Sequence, residues 1–90
     1  MSAIPEWIET FGPRVRGRIL VRRDWSLANG GSVDHDHCAL CSQKIWDCAD
    51  VTADGVSNGW VTVDGQEPTE WVCEECFGMF ADHLEMQEAA

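Results

Sequence analysis

The sequence predicts a small α+β domain: a few antiparallel strands closed by a C-terminal helix. Three observations predict it. Two identical Cys-x-x-Cys turns, Cys38-Ala-Leu-Cys41 and Cys73-Glu-Glu-Cys76, bracket the middle of the chain. The apolar pattern changes at the second pair, from strand-like runs at Trp60-Val61-Thr62-Val63 and Trp71-Val72 to helical spacing at Phe77, Phe80, Ala81 and Leu84. The chain has 90 residues, so it makes one domain that buries only roughly 60–65% of its unfolded surface. A domain near that limit benefits from a staple such as a bound metal.

The elements follow in order. Pro5 to Phe11 reads as a short helix, with Pro5 suited to its first turn and Gly12-Pro13 ending it. Trp7, Ile8 and Phe11 share a face, which is expected to dock as a lid, because so short a helix does not hold alone in water. Arg14 to Arg23 alternates: Arg14, Arg16, Arg18 and Arg22 fall on one side and Val15, Ile19 and Val21 on the other, interrupted by Leu20, with Gly17 marking a bulge. That pattern predicts a half-buried strand with a basic outer face. Asn29-Gly30-Gly31-Ser32 is a turn, as are Asp54-Gly55, Asn58-Gly59 and Asp64-Gly65. Trp60–Val63 and Trp71–Cys73 are expected strands, Gln66–Glu70 a loop around Pro68, and the helix starts at Glu74, where Glu74 and Glu75 favour the positive end of its dipole. The tail from Glu85 is expected to fray. The whole, 1–90, reads as one domain in which 1–33, a helix and a basic strand, packs on a core formed by 34–84.

Each Cys-x-x-Cys aims two sulfurs at one point, and two of them supply the tetrahedral shell of a structural Zn²⁺. The alternatives are a disulfide pair and a redox dithiol. Amides at the helix N-terminus are expected to lower the pKa of Cys73 and Cys76, favouring the thiolates a metal needs. A closed four-sulfur shell leaves no position for water or substrate, so the metal is read as structural. A zinc deaminase would need His-x-Glu and Pro-Cys-x-x-Cys, and the chain has neither. The count of five cysteines leaves Cys48 over, which is ordinary in a reducing compartment. With no signal-peptide pattern at MSAIPEWIET and no apolar run of about 20 residues, a cytoplasmic chain without a membrane span is expected.

Asp34-His35-Asp36-His37 stands directly before Cys38. A His adjacent in sequence to a ligating Cys points away from the same ion, so His35 and His37 are read as hydrogen-bonding supports behind the ligands, with replacement of one sulfur by a His as the lesser option. His83 lies near the end of the last helix, where the dipole favours an imidazolium.

This order, a cysteine knuckle, strands, then a cysteine pair opening a helix, resembles treble-clef and zinc-ribbon modules over residues 34–84. The residues Asp34, His35, His37, Cys38 and Cys41, followed by Trp71, Cys73, Cys76 and Phe77, resemble a group of small uncharacterised bacterial proteins with Asp-His-x-His-Cys-x-x-Cys and Trp-x-Cys-x-x-Cys-Phe. That resemblance implies a zinc-binding domain. Val33-Asp34-His35-Asp36-His37 is also similar to a string in phage recombination endonucleases, a branch of the His-Asn-His nucleases. In that family the string lies between the two pairs and an Asn follows the second; here it precedes the first, and Phe77 follows Cys76.

The formal charge is −10, and Zn²⁺ with four thiolates adds a further −2. Such a field repels nucleic acid and attracts basic protein surfaces. Five of the 6 basic residues are Arg14, Arg16, Arg18, Arg22 and Arg23, whereas 14 of the 16 acids lie from Asp24 onward, with Lys44 the one later cation. The arginines have two readings: internal pairing with those acids, or nucleic-acid contact by Arg14, Arg16, Arg18 and Arg22. The 5 tryptophans are expected to build the core, with Trp25 and Trp46 as candidate exposed anchors and Arg22 or Arg23 as candidate partners stacked on Trp25. The function expected is a non-enzymatic interaction module whose acidic face docks on a basic protein, one concrete form being an inhibitor or immunity-type protein. The rival is a nucleic-acid-binding zinc ribbon, and a metal nuclease is the remote third.

Overall fold

The computed structural model describes residues 4–31, 34–47 and 55–89. Cys48, Val51, Asp54, Ser32 and Val33 lie outside the described residues, and with them the expectations for the Cys48 thiol, part of the Asp54-Gly55 turn and the first residue of the nuclease-like string.

Helix α1 (Glu6–Phe11) starts after Pro5 and runs into a 3-10 turn, Gly12–Arg14. Of its expected docking face, only Ile8 is fully buried, while Trp7 and Phe11 stay exposed. Trp7 lies edge-on to Phe80 of α2 (Glu74–Leu84), ring centres 5.7 Å apart. The two helices meet closely at Gly12, where a Cβ would lie 2.6 Å from a Leu84 methyl. Gly12 is therefore set by packing as well as by chain termination.

The strand expected over Arg14–Arg23 is shorter. β1 spans Ile19–Asp24, and Arg14 to Gly17 form turns instead. Gly17 takes φ +73°, and its amide donates to Leu84 O at 2.9 Å, so the bend is fixed by the end of α2 and the Arg14/Arg16/Arg18 face does not exist as a strand face. The remaining strands are β2 (Asp36–His37), β3 (Lys44–Ile45), β4 (Asn58–Thr62) and β5 (Trp71–Val72). A sixth, β6 (Gln87–Glu88), lies in the segment expected to fray. It runs parallel to β1, with Gln87 N donating to Arg18 O at 2.9 Å and Ala89 N to Leu20 O at 2.8 Å.

The main sheet has the order β5-β4-β1-β6, mixed because β6 is parallel and the other neighbours are antiparallel. A second, two-stranded sheet pairs β2 with β3, Asp36 opposite Ile45 and His37 opposite Lys44. Single bridges tie it to the rest at Cys38–Trp71 and Ile45–Val56. The core lies between the main sheet, the small hairpin and the two helices. Its fully buried side chains include Trp71, Leu20, Leu40, Ile45 and Leu84. Among the described residues, no helix is long and apolar enough to cross a membrane.

Candidate metal centre

The turn that joins β2 to β3 carries the first cysteine pair. Cys38 N donates to Gln43 O at 2.8 Å and Ser42 N to Cys38 O at 2.9 Å, closing the loop on itself. Inside it, the amides of Leu40 and Cys41 point at Cys38 Sγ, 3.4 and 3.5 Å away. The tight path puts Ser42 at φ +67°, the left-handed region that favours glycine. The second pair opens α2. Cys73 is its N-cap in extended backbone, and its Sγ accepts from Cys76 N at 3.4 Å. Both pairs therefore use one device: the leading sulfur accepts backbone amides, which hydrogen-bond the anionic form of the thiol.

The bridge between Cys38 and Trp71, together with the 2.8 Å bond from Ala39 N to Trp71 O, brings the two turns face to face. The four sulfurs of Cys38, Cys41, Cys73 and Cys76 lie within 4.8 Å of one another, and Cys41 Sγ stands 3.6 Å from Cys73 Sγ. Four sulfurs about 2.3 Å from a tetrahedral ion are about 3.8 Å apart; a disulfide needs about 2.05 Å. The spacing fits a shared cation and not a bridge, and all four are free thiols. Cys38, Cys73 and Cys76 are buried, and Cys41 is exposed.

Electrostatics inside the cluster correct one expectation. Cys38 is held far below the usual thiol range, chiefly by hydrogen bonds from Cys73 and Cys76. Cys73 is pushed up to about 12 and Cys76 is also pushed up, each first of all by its hydrogen bond to Cys38. The helix amide does favour the Cys73 thiolate, but crowding by a charged neighbouring sulfur outweighs it. Without a cation the cluster favours ionisation at Cys38 and opposes it at Cys73 and Cys76. A divalent ion removes that conflict, so the donor set suits a soft-to-borderline metal.

Among the described residues, His35, His37 and His83 do not join this group. His35 Nδ1 contacts Asp34 Oδ2 at 3.0 Å, and its ring centre lies 4.8 Å from that of His37. His83 Nε2, at the end of α2, lies 3.1 Å from Glu9 Oε1 of α1, a partner the dipole argument alone did not foresee.

Three of the five arginines, Arg14, Arg18 and Arg22, are tied to acids. Arg14 Nη2 donates to both carboxylate oxygens of buried Glu70, at 3.0 and 2.8 Å. Arg18 is itself buried. It forms a two-point pair with Asp64 at 3.0 and 2.9 Å and donates to Pro68 O and Gln66 O, which fixes the 64–70 loop. The guanidinium holds the Asp64 carboxyl below the usual carboxylate range. Arg22 pairs with Glu74 at 2.8 Å on the surface. Arg16 is exposed and has no ion pair among the described residues. Asp64 and Glu70 were not singled out from the sequence; the available signal was an acid-bearing loop opposite an isolated basic segment.

Trp25 is buried, with Nε1 donating to Asp36 Oδ2 at 2.8 Å, so it is not a surface anchor. It anchors β2 instead. Trp46 is part-buried and carries Lys44 Nζ over its ring at 3.9 Å; this, rather than Arg22 or Arg23 on Trp25, is the cation–π contact among the described residues. Trp60 stacks on Phe77, ring centres 3.8 Å apart and nearly parallel. Beside Cys73, an open cavity of about 230 Å³ is lined partly by Glu74, Glu75, Gln43 and Asn58. Comparison with protein-family models, with curated proteins and with solved structures returned no match.

Proposed function

We propose that Cys38, Cys41, Cys73 and Cys76 hold a structural Zn²⁺ in a treble-clef arrangement, and that the chain is a non-enzymatic interaction module whose acidic surface docks on a basic protein. Four thiolates are a common shell for structural zinc in a small domain, and the ion supplies cohesion rather than chemistry. The treble-clef reading rests on the order of parts: a knuckle between β2 and β3, the β4–β5 hairpin, then a helix entered at a cysteine. The observation that carries the interaction reading is the pairing of Arg14, Arg18 and Arg22 with Glu70, Asp64 and Glu74. Cations held this way offer little to phosphate, and the molecule presents its net −10 to any partner. The open cavity next to Glu74 and Glu75 gives a cationic side chain of the partner a place to enter. An inhibitor or immunity-type protein covering a basic, nucleic-acid-binding partner is one form of this role.

Two measurements test it together. Capture from native-host extract at moderate salt is expected to retain a basic protein that a salt gradient releases. Titration of labelled single- and double-stranded oligonucleotides at low salt is expected to show no binding. Steep, salt-dependent oligonucleotide binding, lost when the exposed Arg16 and Arg22 are replaced, would establish the nucleic-acid reading instead. Plasmid nicking with Mg²⁺ or Mn²⁺, lost in His35→Ala and His37→Ala, would make the protein an enzyme.

A further inference from the structure

We propose that His35 and His37 form a second metal site, separate from the four sulfurs, that binds one late first-row divalent ion at the surface with water completing its shell. The two residues flank Asp36 at the start of β2, and the Asp36 carboxylate accepts from buried Trp25 Nε1 at 2.8 Å, which fixes the backbone between them. The rings stand edge to face, centres 4.8 Å apart. Two imidazoles that share one ion at metal–nitrogen distances of about 2.0–2.1 Å have ring centres about 4.5–5.5 Å apart, so the separation suits a shared ion once one ring turns about its χ2 to bring its nitrogen round from the edge-to-face arrangement.

Asp34 orients one ring of the pair. A carboxylate only accepts, so Nδ1 is the donor in the 3.0 Å contact and Nε2 is the nitrogen left to face a metal. A carboxylate behind the non-ligating nitrogen orients a histidine and raises its basicity toward a metal. The site is reachable: the side chains of His35 and Asp34 are 32% and 86% exposed. The net charge of the chain draws cations to it. Imidazole donors select the Ni²⁺, Cu²⁺ and Zn²⁺ class over Mg²⁺ or Ca²⁺. The site holds an exchangeable ion, unlike the closed sulfur cluster, and stands whether or not that cluster carries zinc.

The test is NiCl₂ titration of the tag-free full chain whose cysteines are already metal-loaded, followed by calorimetry and by amide NMR line broadening. One further ion is expected to bind with micromolar affinity, with broadening centred on His35 and His37. His35→Gln with His37→Gln is expected to abolish it, Asp34→Asn to weaken it about tenfold, and His83→Gln to leave it unchanged. Absence of binding at millimolar Ni²⁺, broadening centred on His83, or binding that survives the double substitution would each overturn the proposal. The wild-type broadening pattern decides the matter even where a variant folds poorly.

Discussion

At two of the described positions a side chain occupies backbone that glycine would hold at lower cost. Ser42 closes the first cysteine turn at φ +67°, and Glu85 ends α2 at φ +56°, its amide donating to Ala81 O and Asp82 O. The left-handed region costs an L-residue about 1–2 kcal/mol, partly offset by the greater unfolded freedom of glycine. Glu85→Gly is therefore expected to stabilise the domain by about 0.5–1 kcal/mol, read as a rise of a few degrees in melting temperature. The Arg18–Asp64 pair carries the opposite kind of position. Asp64→Asn leaves a buried guanidinium without its counter-charge and is expected to cost about 3 kcal/mol in denaturant unfolding, the lower end for a broken buried pair. The same carboxyl sets an acid limb. Its folded pKa lies below the unfolded value, so its stabilisation is present above about pH 4. That contribution is lost as pH falls toward the lowered folded value. Asp64→Asn is expected to flatten the decline in stability below pH 4.

At the scale of elements, the tail is a strand and part of the core. Met86 is buried, Gln87 donates to Arg18 just before β1, and Ala89 donates to Leu20 of β1. Met86→Ala is expected to cost about 2 kcal/mol or more, whereas truncation after Met86 removes two edge hydrogen bonds at about 1 kcal/mol each; comparing the two unfolding midpoints separates packing from pairing. This also marks what was legible in the sequence. Helix α1, β4, β5 and the start of α2 announce themselves locally, through Pro5 and Gly12, a β-branched and aromatic run, and two acids after Cys73. The four sulfurs were legible because two identical Cys-x-x-Cys turns fix residue type and spacing together. β6 was not, since Gln87-Glu88 has no strand propensity and is recruited by the exposed edge of β1. Nor was the start of β1: alternation of Arg and Val reads as a strand until Gly17 bends to meet Leu84. Arg18 goes inward because Asp64 and two loop carbonyls satisfy it, and that arrangement depends on contacts 46 to 50 residues away.

For the whole molecule, the four-sulfur cluster is the joint at which separate pieces meet. It ties the small β2–β3 hairpin to β5 and the first turn of α2, and among the described residues the hairpin reaches the rest of the sheet through single bridges at Cys38–Trp71 and Ile45–Val56. Structural zinc contributes an apparent ~10–16 kcal/mol in small domains, as large as the ~5–15 kcal/mol total stability of an ordinary one. A metal-free cluster keeps protons on Cys73 and Cys76 and leaves polar sulfurs under cover with no shared counter-charge. Metal uptake must therefore release protons and weaken as the pH falls. On the zinc reading proposed above, chelator at neutral pH is expected to abolish the cooperative melt. Trp71, 1% exposed and two residues from Cys73, is expected to report this as a red shift in fluorescence. One equivalent of Zn²⁺ should restore both signals, and Cys38→Ser or Cys73→Ser should reproduce the chelated state. A metal-free preparation that melts cooperatively, with the same midpoint in chelator, would mean that packing around Trp71 holds the hairpin on its own and that the sulfurs are gathered for another purpose.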